Sequence, residues 1–357
     1  MRVRMGVVGC GAIAQVQHLP NLAALSDRYE ISTVCDVSAS LARSAAEEFG
    51  VDHYCTSMDE LLGRNLDAVL LCQNDPKTEV ALQVLDSGRH LFIEKPVCFT
   101  VEDADAMVAA ANRAGVVAQA GYMKVFDPGF VRMESEVAQM GDSVRFVQIN
   151  HLHTDNRHHV LRFNLRQADD LPADAGETLR RQREADVRRA LGENADARSR
   201  GAFFHLAGSM IHDLYGLRHL FGMPKRVVST EIWNRGWGFT TILEFGAGHR
   251  CAATWVELVD IRHFHETLEV YADDHAAILS YPTGFSRGIP SQVEIRRVDA
   301  ERAVTDRPVI AADNVFLREL EHFHDCIHGH AECRTPLSEA RDDVALIVDI
   351  VRRYLEG

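Results

Sequence analysis

The string Gly9-Cys10-Gly11-Ala12-Ile13-Ala14 follows an apolar, β-rich run and opens a helical pattern. Gly9 permits a tight turn, Gly11 lets a pyrophosphate approach the main chain, and Ala14 allows close packing of helix on strand. Ala12 and Ile13 lie at the helix N-terminus that would face the phosphates. Asp36 ends the next strand, 25 residues after Gly11. A carboxylate there accepts hydrogen bonds from ribose hydroxyls and repels a 2′-phosphate, and no arginine directly follows to offset it. NAD is therefore the expected cofactor, with NADP disfavoured. A second group is Glu94-Lys95-Pro96, at the carboxyl end of a buried strand, where the proline keeps the lysine out of helical geometry. A structural ion pair between Glu94 and Lys95 is the plainer alternative. A third is His212, on an apolar helix; a neutral imidazole suits proton transfer near pH 7.

The elements that must position these groups alternate over the first ~120 residues. Strands are expected at Val3–Val8, 31–35, 67–72, 90–93 and 116–120, with helices at 40–49, 77–87 and 102–114. Gly50, Gly88 and Gly115 close those helices as C-caps. Such alternation means parallel βαβ units, with ligands at the carboxyl ends of the strands. After Gly121-Tyr122 the pattern changes. A helix runs from Pro128 to about Met140, and strands then follow at 144–152, 226–232, 239–245, 251–256, 267–272, 276–280 and 292–297. Short turns between successive strands favour a mainly antiparallel sheet.

The expected fold is thus an α/β Rossmann N-terminal domain, residues 1–122, and an α+β C-terminal domain, 123–357, with an open, mainly antiparallel sheet. The second domain would bind substrate and mediate oligomerisation, its last helix free to pack back on the first. Residues 166–200, rich in Asp, Glu, Arg and Ala, form an excursion with one surface helix. It reads as a solvated decoration, with a cover over the cleft as the alternative. Residues 202–221 read as one largely buried helix.

The glycine string, Asp36 and Glu94-Lys95-Pro96, with the helix 81–88 before the last, together resemble the Gfo/Idh/MocA family, closely over residues 1–130 and loosely beyond. That family comprises glucose–fructose oxidoreductase-like and inositol dehydrogenase-like NAD(P) enzymes. The resemblance implies a site between the two domains, in which Lys95 binds and polarises the reacting hydroxyl and His212 accepts its proton. The family's usual D-x-x-x-H leaves Gly208 where the aspartate would stand. Asn74 matches a segment lining the nicotinamide, beside Glu94 and Lys95. Lys124 stands where a basic residue often meets substrate. His151 and His153 alternate on one strand and so share a face. His205 precedes His212 by seven residues, on one helix face about 10 Å away, and reads first as a core histidine and second as a substrate contact. Asn156, Arg157, His158 and His159 form a loop that could close over a polyol. A homodimer or homotetramer is implied as well.

A formal net charge of −14 argues against nucleic-acid and anionic-membrane partners. No uncharged apolar run approaches the ~20 residues a bilayer span needs, and the start leaves no room for a signal peptide, so a cytoplasmic protein is expected. The eight cysteines contain no C-x-x-C pair and read as free thiols. His322, His324, Cys326, His328, His330 and Cys333 read as a surface cluster beside an apolar stripe, and no metal is expected. The expected reaction is hydride transfer at a secondary alcohol carbon of a sugar, cyclitol or nucleotide sugar. Two alternatives are an NAD-requiring lyase, epimerase or glycosidase without net redox change, and a non-catalytic NAD-bound sensor.

Overall fold

A computed structural model describes residues 1–155, 160–284 and 288–357. The loop Asn156, Arg157, His158 and His159 lies outside the described residues. The chain forms two compact units. The first comprises residues 1–122, 163–190 and 316–345, and the second residues 123–162, 191–315 and 346–357.

In the first unit β1 (Val3–Val8), β2 (Tyr29–Cys35), β3 (Tyr54–Cys55), β4 (Ala68–Leu71), β5 (His90–Glu94) and β6 (Ala118–Gly121) form a parallel sheet in the order β3-β2-β1-β4-β5-β6. That is the doubly wound dinucleotide-binding order, so the strands' carboxyl ends share one edge. Val3, Met5, Val7 and all of β4 are buried, as strands covered on both faces must be. The helices α1 (Leu19–Ala24), α2 (Ala39–Phe49), α3 (Met58–Leu62), α4 (Thr78–Asp86) and α5 (Val101–Ala114) lie between them. Side chains cap two: Ser38 accepts from Leu41 N–H, and Thr100 from Asp103 N–H. Gly50 and Gly115 end these helices in the left-handed conformation, as expected from sequence. The two-residue β3 and the short α3 were not anticipated, since neither is long enough to display a period.

Two later segments belong to this unit. The helix α7 (Ala175–Leu191) buries Val187 and Ala190, so its weak apolar stripe is a packing face rather than part of a solvated decoration. α10 (Val315–Ile327) reaches the sheet core: Phe323 meets Phe92 edge-on at 5.5 Å, and Tyr29 donates its hydroxyl hydrogen to the Leu320 carbonyl at 2.6 Å.

The second unit is built on eight strands in the order β14-β13-β12-β11-β7-β10-β9-β8. They are β7 (Val144–Thr154), β8 (Arg226–Trp233), β9 (Gly238–Glu244), β10 (Arg250–Leu258), β11 (His265–Ala272), β12 (His275–Tyr281), β13 (Gln292–Asp299) and β14 (Arg302–Asp306). Every pair is antiparallel except β7 with β10. α6 (Pro128–Met140) packs on β12 and β13. The single helix expected over 202–221 is instead α8 (Ala197–His205), a π-helical turn at Leu206–Met210, and α9 (Ile211–Phe221). α11 (Leu337–Glu356) contributes its residues up to 345 to the first unit and the rest to the second.

Candidate functional site

At the carboxyl edge of the first sheet, Gly9 has φ +87°, and a Cβ there would lie 2.4 Å from the Gln73 nitrogen. Only glycine fits that turn. A Cβ at Gly11 would meet nothing within 4 Å, which leaves open room directly over the main chain. Both oxygens of Asp36 are fixed: Oδ2 accepts from Cys10 N–H at 2.7 Å and Oδ1 from Ser38 N–H at 2.9 Å. The acid is thereby tied to the glycine turn on one side and to the start of α2 on the other. The open cradle, the helix start at Ala12 and Ile13, buried Ala14 and the fixed carboxylate together suit a dinucleotide. Asn74 is exposed in the turn after β4.

The β5 end carries more machinery than its sequence displays. Lys77 is 2% exposed, and its ammonium donates to the carbonyls of Glu94 (3.0 Å), Lys95 (3.4 Å) and Pro96 (2.9 Å) and to Asp75 Oδ1 (3.0 Å). It clamps the backbone carrying half-buried Lys95. The Lys95 N–H donates to Glu94 Oε2 at 3.1 Å, while Glu94 Oε1 lies 2.6 Å from His18 Nε2. Burial works to raise the Glu94 carboxyl, but the His18 hydrogen bond and charge, with Lys95 and Lys77, hold it below the ordinary range. Neighbouring Glu319 has no such help. Neither of its oxygens has a hydrogen-bond partner among the described residues, and burial, with the charge of Glu94, pushes it well above 4.5.

The pair therefore divides into one ionised and one protonated acid. The protonated one weakens the fold as pH rises. Its contribution is fully present below about 4.5, the ordinary value, and is lost as pH climbs through the folded one. Glu319→Gln should remove this loss, so the variant gains on the wild type as pH rises above about 4.5, by up to about 1.4 kcal/mol per pH unit until the folded value is passed. Urea unfolding across that range is the measurement. Parallel curves for the two proteins would mean that the Glu319 carboxyl ionises normally.

In the second unit, Lys124 forms a buried ion pair with Glu266, and its ammonium lies 4.5 Å from the Tyr281 ring centre. His151 Nδ1 is 2.7 Å from Asp213 Oδ2. Lys124 and His151 are only 6% and 3% exposed. Burial and the Asp213 charge push Glu266 up to about 7, against the opposing Lys124 and His151 charges. Asp213 is driven the other way: burial acts to raise it, but the His151 charge and hydrogen bond hold it low. His151 Nε2 is 3.1 Å from His153 Nδ1, and Ser209 Oγ lies within 3.4 Å of both rings while accepting from the Trp255 indole N–H at 3.0 Å.

His205 and His212 have different neighbours. His205 stacks on Trp255 at 4.3 Å, and burial lowers its pKa. The expected shared helix face assumed a continuous α-helix, and the π turn at Leu206–Met210 breaks that spacing. His212 Nδ1 is 3.1 Å from the Tyr215 hydroxyl, which accepts from Lys124 N–H at 2.9 Å and donates toward Met123 Sδ at 3.9 Å. The roles in the His212–Tyr215 contact depend on the tautomer: where Nδ1 donates to the hydroxyl oxygen, Nε2 is the ring atom that can accept a proton. Gly208 supplies no carboxylate, and Tyr215 holds the ring.

Among the described residues, three clusters bring ligand-type atoms within 4.8 Å of one another: His18, Glu94 and Glu319; His151, Asp213 and Glu266; and His322, Cys326 and Cys333. The last corrects the surface-cluster expectation. Cys326 is buried and His322 half-buried, its Nε2 3.3 Å from Cys326 Sγ. Hydrogen bonding from Cys333, with His322, lowers the Cys326 thiol to about 5 against the penalty of burial.

Sheet order, glycine turn and terminal acid together make a Rossmann unit suited to a dinucleotide. Residues 3–122 match the family model GFO_IDH_MocA, described as the oxidoreductase family, NAD-binding Rossmann fold. Through that segment the chain is similar to the Gfo/Idh/MocA family. The inositol 2-dehydrogenase/D-chiro-inositol 3-dehydrogenase of Shouchella clausii is 32% identical over 143 residues, covering 39% of this chain and 41% of that protein. The myo-inositol 2-dehydrogenase of Thermotoga maritima is 29% identical over 137 residues, 38% and 40% of the two chains. The chain thus spans about two-fifths of the length of the curated relatives it matches. Among solved structures, a levoglucosan dehydrogenase in complex with NADH and L-sorbose aligns with TM-score 0.78 at 14% identity, over 100% of this chain and 98% of that one. The WlbA dehydrogenase of Bordetella pertussis, in complex with NADH and UDP-GlcNAcA, aligns with TM-score 0.72 at 19% identity, over 100% and 98%. At these identities the likeness is one of fold. No described helix is long and apolar enough to cross a membrane.

Proposed function

We propose that the protein is an NAD-dependent dehydrogenase or reductase that transfers a hydride at a secondary alcohol carbon of a sugar, cyclitol or nucleotide sugar. The observation that carries this reading is Asp36, fixed through both oxygens beside the open glycine turn. Curated relatives named as inositol dehydrogenases, and fold neighbours solved with a sugar or a nucleotide sugar, support the substrate class.

In this reading Gly9, Gly11, Ala12, Ile13 and Ala14 cradle the pyrophosphate and Asp36 holds the ribose, while Asn74, Glu94 and Lys95 serve the nicotinamide end. Bound NAD supplies the hydride acceptor. Lys95, kept cationic, steadies the alkoxide as it develops, and His212 Nε2 receives the hydroxyl proton. His153, His205 and Gly208 are assigned to substrate, with buried Lys124 and His151 supporting that surface. We assign dinucleotide binding to residues 1–122 and substrate binding to 123–357. The same reading includes a cytoplasmic homodimer or homotetramer.

The test is a panel of cyclitols, sugars and nucleotide sugars incubated with NAD and followed at the absorbance of NADH. At least one should give product and NADH in equal amounts. Product without net NADH would replace this reading with a lyase, epimerase or glycosidase, and binding without turnover with a sensor. Equilibrium titration should favour NAD over NADP by about tenfold or more, and Asp36→Ser should weaken the preference.

A further inference from the structure

The segment 163–190 leaves the second unit's sequence and packs within the first. It is anchored at both ends. Gln15, on the turn after the glycine string, binds the Arg166 main chain twice, accepting from its N–H at 2.8 Å and donating to its carbonyl at 3.2 Å. The same Gln15 amide donates to the Cys10 carbonyl at 2.8 Å. Farther along, Arg189 grips Asp103 through both oxygens, at 2.7 and 3.1 Å. Between these anchors Asp170 reaches the start of α2. One of its oxygens accepts from the Ser38 hydroxyl and, at 3.0 Å, from the Ser40 hydroxyl; the other accepts from Ser40 N–H at 2.9 Å.

This corner adjoins Asp36, which holds the Ser38 main-chain N–H while Asp170 takes the Ser38 hydroxyl. A dinucleotide whose ribose rests on Asp36 would direct a 2′-phosphate outward, toward the turn that starts α2. Two hydroxyls and a main-chain N–H at a helix start form a donor set suited to such an anion. In this chain they already serve one. We propose that Asp170 is a specificity-determining residue, an internal anion that occupies the 2′-phosphate position and excludes NADP. The inference rests on the proposed use of NAD and adds that Asp36 does not act alone: the segment 163–170 straps the corner shut. NADP would have to expel a carboxylate from its donors and lie beside two negative groups.

The experiment is equilibrium binding of NAD, NADP, 5′-AMP and 2′-AMP to the wild type, Asp170→Ala and Asp170→Asn. In Asp170→Ala, NADP and 2′-AMP should tighten by about tenfold or more, while NAD and 5′-AMP stay within about threefold. Asp170→Asn keeps an acceptor without the charge, so it should fall between the two. Asp170 is exposed, and unchanged far-UV circular dichroism would confirm that the variants fold. If the wild type prefers NAD and neither substitution moves NADP or 2′-AMP, the Asp170 assignment is overturned and the cofactor reading stands. If the wild type binds neither dinucleotide, or prefers NADP, the cofactor reading itself fails and takes this inference with it.

Discussion

Replacing Lys95 by alanine is expected to lower kcat/KM for the proposed reaction by about 10²–10⁴-fold, the range of a positioned acid–base or alkoxide-stabilising group. The backbone that carries this side chain is held independently of it. Lys77 grips the carbonyls of residues 94, 95 and 96, and Glu94, ionised by its contact with His18, takes the Lys95 N–H. Truncation should therefore remove an ammonium without moving the β5 end. Stability should stay within about 1 kcal/mol, because Lys95 is only half-buried and its removal opens no core cavity. The loss should fall on kcat, with the KM for NAD changing far less, and added primary amines should restore part of it. Turnover near the wild-type level would remove Lys95 from the proton pathway.

Much of this could be read from the chain itself because the informative residues are close in sequence. The glycine string, Asp36 and Glu94-Lys95-Pro96 each sit at the end of a strand whose apolar run is visible, so topology alone brings them to one edge. The partners that tune them are far away in sequence. Lys77 looks like an ordinary solvated lysine until β4 and β5 are placed side by side. Glu319 lies 225 residues beyond Glu94, on a helix whose apolar stripe hides a buried acid. The same holds for Glu266, which alternation along β11 places inward without saying that Lys124 awaits it. The π turn at Leu206–Met210 has no sequence period of its own, so the His205–His212 spacing misled. An excursion was legible over 166–200, but its packing rests on partners far away in sequence: Gln15, Ser38, Ser40 and Asp103.

Lys124→Met is expected to cost about 1–2 kcal/mol of folding stability near pH 8, because one partner of a buried ion pair is left uncompensated. Glu266 is 2% exposed and already sits beside Asp213. Lys124 is the first of the two charges that oppose this, ahead of His151. With the ammonium gone, Glu266 must hold its proton to a pH above its present value of about 7. The sign follows from linkage. A carboxyl raised from 4.5 contributes stability that is complete below that value and vanishes as pH passes the folded one. Moving the folded value upward extends the costly window, so the destabilisation should be small near about pH 5 and largest near about pH 8. Urea unfolding at those two pH values measures it. The double variant Lys124→Met/Glu266→Gln removes both charges and should recover most of the loss, because neither partner is then stranded. A penalty independent of pH, or losses that simply add, would show that the two groups are not energetically coupled.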